Sequence, residues 1–351
     1  MKLAALVLAG GKGERLWPLS QPEKPKQFLA LTQSKRSLLQ LTIQRIEGLV
    51  PIEDIFIITG TSFKDLVKEQ IPDMKDDHLI IEPCGRNTAP AITLSLLSIQ
   101  RFYGTGEITV MVFPSDHLIE PQDAFVTTLQ SAVSCAKEGH IVAIGITPTY
   151  PETGFGYLKA NSTGYVACPV DRFVEKPDKE TAERYLADGT YFWNAGIFVF
   201  TLSVMERELK TFVPDIYHMV GTMVDEGTIN ETTYGRVPSI SIDYAVMEKS
   251  DAVEMVPARF SWDDVGSFLA LTRHFQQDES QNTVIGEKKQ VVLSLSHNNI
   301  IDVQNSPTKQ VILIGIDECT IIESDGTLLV CANSHVPEIQ KLLKQRKEDL
   351  K

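Results

Sequence analysis

The run LAGGKGERLWPLS, from Leu8 to Ser20, continues into KPKQFL, Lys24 to Leu29, and gathers three glycines and several cations directly behind a short apolar segment. Gly10, Gly11 and Gly13 leave backbone N–H groups open to close approach by an anion, and Arg15, Lys24 and Lys26 add positive charge nearby. A nucleoside triphosphate suits that arrangement. An ordinary glycine turn with solvated cations is the alternative, weakened because these glycines follow the first apolar run without a gap. Two well-known phosphate loops do not fit. Counted from Gly11, the dinucleotide pattern G-x-G-x-x-G meets Leu16 at its third glycine, and the next apolar run ends Thr59-Gly60-Thr61 without a carboxylate. No glycine precedes Lys-Ser or Lys-Thr at Walker A spacing.

Carboxylates supply the second kind of chemistry. FPSDH, Phe113–His117, places Ser115 and Asp116 at the end of an apolar run, and WDDVGS, Trp262–Ser267, places Asp263 and Asp264 before a glycine turn. Two sequence-distant carboxylates on converging loops suit a hard divalent cation such as Mg²⁺, which takes one or two carboxylates plus substrate phosphates and water. Singly, each Asp reads equally well as a turn or cap residue. In EPCGRNTAPA, Glu82–Ala91, either Asn87 or Thr88 caps a helix with Pro90 in its first turn, which leaves Glu82 and Arg86 unexplained. FVEKP sets Glu175 beside Lys176; as strand neighbours they point to opposite faces unless the strand ends there, and two solvated charges are the plain reading. Asn194, near Gly196 in YFWNAGIFVF, is a polar group among aromatics that suits sugar recognition. Asp243 opens a helical segment, where capping is the alternative. The seven histidines form no i, i+4 zinc pair, and no Ser–His–Asp arrangement emerges.

The elements that must carry these residues alternate. Leu3–Leu8, Ile55–Thr59, Leu79–Ile81, Ile108–Phe113 and Ile141–Ile146 are candidate strands, and Ser37–Leu49, Ser62–Gln70, Pro90–Tyr103 and Gln122–Lys137 have helical spacing. That is an α/β core, whose ligands sit beyond the carboxyl ends of the strands. Asp171–Glu175, Lys179–Asp188 and Gly196–Phe200 add a strand, a helix and a strand. After the polar segment Gln276–Asn282, short apolar runs at Val291–Leu295, Ile300–Val303, Val311–Ile314, Cys319–Glu323 and Leu328–Cys331 predict a small all-β appendix, closed by a charged helix from about Pro337 to Asp349.

Composition bounds the rest. With 33 basic against 46 acidic residues among 351, the net charge of −13 argues against nucleic acid as a partner, so phosphate chemistry must use a few local cations. Five cysteines without CxxC spacing read as reduced thiols, no apolar run approaches membrane-spanning length, and a cytoplasmic protein with no membrane partner is the expectation.

GGKGERLWPLS, PKQF, EPCGRNTAPAI, FPSDH, ETGFGYL, FVEKP, FWNAGIFVF, SIDYAVMEKS and WDDVGS follow one another as they do in the sugar-nucleotide pyrophosphorylases. Over nearly its whole length the chain resembles that family, in particular its GDP-mannose-forming branch. The resemblance implies a Rossmann-like nucleotidyltransferase domain with a mixed central sheet over residues 1–278, and a β-helix-like C-terminal domain with a terminal helix over 279–351. It implies transfer of GMP from GTP to α-D-mannose 1-phosphate, releasing pyrophosphate, with Mg²⁺ as cofactor. The metal ligands map onto Asp116 and Asp264, while Asp263 falls at a position the family varies. Leu8, Ala9, Gly10, Gly11, Gly13, Glu82, Arg86, Asn87, Thr88 and Ser115 would hold the nucleotide, with Glu82 reading guanine. Gly156, Glu175, Asn194 and Asp243 would hold the sugar, with Gly154 and Gly156 admitting the hexose to the backbone. Arg15 and Lys26 would stabilise the leaving pyrophosphate and Lys176 would orient the sugar phosphate. Another hexose or heptose 1-phosphate, another nucleotide, or a silent nucleotide-sugar-binding regulator are the competing readings. A monofunctional enzyme and a homodimer supported by the appendix complete the expectation.

Overall fold

The structure, a computed structural model, describes residues 2–11, 16–160, 164–305 and 310–349; Gly13 and Arg15 lie outside them. Two compact units emerge. One comprises Met1–Gly10, Thr42–Ser115 and Ile119–Trp262, the other Gly11–Leu41, Asp116–Leu118 and Asp263–Lys351.

In the first unit the apolar runs become strands buried on both faces: Lys2–Leu8, Ile55–Gly60, Leu79–Glu82 and Ile108–Pro114. Continuous Val/Ile/Leu runs are what a parallel sheet covered on both sides demands. These four pair in parallel, with Lys2–Leu8 between Ile55–Gly60 and Ile108–Pro114. Tyr191–Thr201 then joins antiparallel to Ile108–Pro114 and to Ile141–Ile146, and Val253–Pro257 pairs in parallel with the latter, so the sheet is mixed. Gly156–Lys159 joins Tyr191–Thr201 to Arg172–Glu175 at one side. The strand predicted at Gly196–Phe200 begins five residues earlier, at Tyr191, because Asn194 and Gly196 form a bulge within it rather than a preceding loop. Helices Leu202–Phe212 and Pro214–Glu226, not anticipated from motifs, bring Met205, Leu209, Ile216 and Val220 into the same core.

In the second unit the β appendix is a parallel coil. Val291 pairs with Val311, Ile300 with Thr320 and His297 with Asp317, each step advancing twenty residues along the chain. Buried asparagines lock the turns: Asn282 Oδ1 accepts from Asn299 N and Nδ2, and Asn299 Oδ1 accepts from Cys319 N, all at 3.0 Å. One face of the coil contributes Ile285, Ile300 and Ile322 to an apolar cluster with Leu29, Leu31, Val265, Phe268 and Leu271. Cys319–Ser324 ends in an antiparallel partner, Thr327–Ala332, and the chain finishes in the helix Ile339–Asp349. Among the described residues no helix is long and apolar enough to cross a membrane.

Asp302 is out of place in this coil. It is fully buried in register between Ile285 and Ile322; Oδ1 accepts from Gln304 N, while Oδ2 finds no partner among the described residues. Burial pushes its pKa up to about 6 from 3.8. The folded state thus binds the proton more tightly than the unfolded chain, and stability falls as pH rises between about 4 and 6. A shift of this size costs about 3 kcal/mol above pH 6. Asp302→Val is expected to raise the urea midpoint at pH 8 while changing it little near pH 4, where the wild-type carboxyl is largely neutral; equal effects at both pH values would contradict this account.

Candidate active site

In the second unit, the Lys26–Phe28 turn buries a lysine. Its Nζ donates to Asp116 Oδ2 at 2.9 Å and, in a short contact, to the backbone carbonyl of Asp264. One ammonium therefore holds both sequence-predicted carboxylate positions. Burial alone would lift the Asp116 carboxyl, but Lys26 first and His117 second bring it below its ordinary value. Asp264 goes the other way: burial raises it, the charges of Asp263 and Asp116 add to the rise, and Lys26 opposes them. Asp264 Oδ1 accepts from Gly266 N at 3.1 Å. A Cβ at residue 266 would stand 2.7 Å from Asp264 Oδ2, so the glycine after this pair of acids makes room for a carboxylate. Gly11, with φ +148°, leads into this unit; its carbonyl accepts from Gln27 Nε2 at 3.4 Å.

In the first unit, Leu8, Ala9 and Gly10 lie at the end of the first strand. Ala9 N donates to Ile58 O, Thr59 Oγ1 donates to Ala9 O, and Ser115 N donates to Leu8 O. Among the described residues no atom lies within 4 Å of where a Cβ on Gly10 would stand. Asn87, at φ 71°, caps the helix Thr88–Tyr103, its side chain accepting from Thr88 N at 2.8 Å. Thr88 does a separate task, accepting from Ile242 N through Oγ1. Glu82 is buried, and its Oε1 takes both Arg86 N at 3.2 Å and Tyr234 Oη at 3.1 Å; burial raises its pKa against the pull of those two donors. Arg86 is turned to Val237 O at 2.6 Å. Tyr234, 152 residues from Glu82, is a site-forming residue that no local pattern reveals.

A second group in that unit surrounds Glu175. The strand Arg172–Glu175 ends there and Lys176 adopts φ 49°, so the two side chains meet in a short contact instead of facing opposite ways. A Cβ on Gly156 would stand 2.6 Å from Glu175 Oε2, so this glycine seats the carboxylate. Asn194 Nδ2 donates to Asp243 Oδ1 at 3.1 Å, and its Oδ1 accepts from Gly196 N. Asp243 opens a π-turn, Asp243–Met247, and burial followed by the charge of Glu175 pushes its pKa up to about 6. Glu248, missed from sequence, accepts from Glu175 N at 3.1 Å. Paired carboxylates, an amide and an ammonium form a set suited to a polyhydroxylated, anionic ligand.

Residues 4–281 match the nucleotidyl transferase family, and the chain belongs to it; it is a nucleotidyltransferase. Mannose-1-phosphate guanylyltransferase 2 of Escherichia coli O157:H7 is 35% identical to it, over 98% of this chain and 73% of that protein. Mannose-1-phosphate guanylyltransferase of Klebsiella pneumoniae is 36% identical over 99% of this chain and 74% of its own length. A crystal structure described as mannose-1-phosphate geranyltransferase from Thermus thermophilus superposes with a TM-score of 0.89 at 32% identity, covering 99% of this chain and all of that one.

Tyr234→Phe removes one of two donors to a buried carboxylate. It is expected to lower the unfolding free energy by about 1–3 kcal/mol at pH 7. Chemical denaturation with no loss of stability would show that the Tyr234–Glu82 bond does not hold this loop.

Proposed function

We propose that the protein transfers GMP from GTP to mannose 1-phosphate, forming GDP-mannose and pyrophosphate. Lys26, shared between the Asp116 carboxylate and the Asp264 carbonyl, carries this reading, because a buried ammonium fixed between the two acidic positions supplies local positive charge for a phosphate. Two relatives matched over nearly the whole of this chain bear that activity in their names. The oxygen-only donors Asp116 and Asp264 fit Mg²⁺, since burial and neighbouring acids make a cation beside Asp264 favourable. Two carboxylates suffice for such an ion, because Mg²⁺ takes one or two carboxylates and completes its coordination with phosphates and water. When bound, Mg²⁺ would neutralise charge on the reacting phosphates.

The remaining steps belong to side chains. The sugar phosphate is already largely ionised at neutral pH, so its oxygen attacks the α-phosphorus without a general base, and catalysis becomes positioning and charge neutralisation. Among the described residues Lys26 Nζ donates to Asp116 and to the Asp264 carbonyl, and its charge would be met by the departing pyrophosphate, helped by Arg15. Glu82 Oε2 accepts from the guanine edge while Oε1 stays tied to Arg86 N and Tyr234; Leu8, Ala9, Gly10, Asn87, Thr88 and Ser115 frame the nucleotide. Lys176 meets the sugar phosphate, and Glu175, Asn194 and Asp243 accept or donate to hexose hydroxyls, with Gly156 keeping Glu175 in place.

Every residue given a role lies at or before Asp264, and the family match ends at residue 281, which supports assigning the chemistry to residues 1–278 and support to 279–351. The five free thiols suit a reducing cytoplasm. A homodimer is proposed on the exposed apolar side chains Ile312, Ile314, Leu328 and Val330; a monomer mass by light scattering overturns it.

Pyrophosphate release, measured with each common nucleoside triphosphate against mannose 1-phosphate and other hexose 1-phosphates, is expected to be fastest for GTP with mannose 1-phosphate. A better pair, or no turnover with any, would replace this assignment by a related transferase or a silent binder. Asp264→Asn is expected to lower kcat by on the order of a hundredfold or more. Lys176→Ala is expected to raise KM for mannose 1-phosphate while leaving that for GTP nearly unchanged; the reverse pattern would move Lys176 to the nucleotide.

A further inference from the structure

Asp263 has no part in the chemistry proposed above, yet it is almost fully buried, 6% exposed, directly before the half-buried Asp264. Among the described residues its oxygens take three donors: Oδ1 accepts from Val265 N at 2.8 Å, and Oδ2 accepts from Arg273 Nη1 and His274 Nε2, each at 3.1 Å. Both outer donors come from the turn Thr272–His274, which follows the short helix Phe268–Leu271, so the loop is closed on its own continuation.

The consequence appears at Val265. This fully buried, β-branched residue has φ 47°, a left-handed conformation that such residues avoid unless their surroundings impose it. The bond from its N–H to Asp263 Oδ1 is the local constraint. With Val265 so turned, Gly266 N reaches back to Asp264 Oδ1 at 3.1 Å and the Asp264 carboxylate packs over the bare Cα of Gly266. Asp263 therefore shapes the turn, and the turn aims its neighbour.

We propose that Asp263, clamped by Arg273 and His274, is a positioning residue that holds the Asp264 carboxylate in the orientation required to bind a divalent cation. The proposal rests on the reading of Asp264 as a metal-binding carboxylate. A plain staple would stabilise the loop without changing what Asp264 binds, so the two roles separate experimentally.

Mn²⁺ binding to the GTP-loaded protein, followed by electron paramagnetic resonance, tests it alongside thermal melting and KM for mannose 1-phosphate. Asp263→Ala is expected to raise the half-saturating Mn²⁺ concentration about tenfold, by the scale on which metal sites respond to loss of a supporting partner. Asp263→Asn keeps an acceptor for Val265 N and is expected to recover part of that loss, with KM for mannose 1-phosphate unchanged in both. If Asp263→Ala melts earlier but binds Mn²⁺ as the wild type does, Asp263 is a staple and the proposal fails. Should Asp263→Ala not fold, Asp263→Asn and Arg273→Gln decide by the same criterion, weaker Mn²⁺ binding supporting the clamp and unchanged binding overturning it. Asp264→Asn separates the two readings: if that variant binds Mn²⁺ normally, the metal role of Asp264 falls irrespective of Asp263.

Discussion

A buried ammonium ion is the constraint on which the second unit depends. Lys26 is almost wholly removed from water, and an isolated charge in that position would be costly. Asp116 gives it a counter-charge and the Asp264 carbonyl gives it a second acceptor. The dependence is mutual, because Asp264 is already raised by burial and by the nearby acids, and Lys26 is what moderates that rise. Removing one member of such a set leaves the others uncompensated, which usually costs more than the set contributes as a whole. The loops that hold these three residues must therefore be fixed before any ligand arrives.

Within that unit the fixing is done by the parallel coil. Leu29 and Leu31 follow the Lys26 turn, and Val265, Phe268 and Leu271 follow Asp264; all five join the cluster formed by Ile285, Ile300 and Ile322. The coil presents an apolar face because its strands pair in parallel, one step of seventeen residues followed by steps of twenty, and side-chain bonds of the buried asparagines join successive turns. A segment with no chemical motif of its own thus bears directly on where the charged residues stand. Asp302 is the exception in the coil, an acid in register with isoleucines.

The parallel strands were legible because burial on both faces requires unbroken apolar runs, and Leu3–Leu8 and Ile141–Ile146 emerged within a residue of their observed ends. A cap at Asn87 or Thr88 was legible for a local reason too, and it falls to Asn87, which acts on the next residue. Helix Leu202–Phe212 shows three- and four-residue spacing at Leu202, Met205 and Leu209, and Pro214–Glu226 shows it at Ile216, Val220 and Met223, but neither carries a chemical motif, so a motif-led reading passes over them. Tyr234 was illegible for a different reason: its partner Glu82 is 152 residues away, and only the fold puts a phenol on that carboxylate. Asp263 was visible but undervalued, because the side chains that bond it, Arg273 and His274, lie ten and eleven residues on.

The motif glycines show how the same letter admits two physical meanings. From sequence, glycine suggests backbone freedom or an approach path for a ligand, and Gly11, at φ +148°, fits the first of these. Gly156 and Gly266 are different, since neither has a positive φ and each lies where a Cβ would strike a carboxylate, Glu175 in one case and Asp264 in the other. Replacing either glycine by alanine would thus displace an acid rather than strain a turn, which ties the glycine to its carboxylate even where, as with Gly156 and Glu175, the two lie in separate motifs. The spacing D-V-G is read most economically as the space requirement of one side chain.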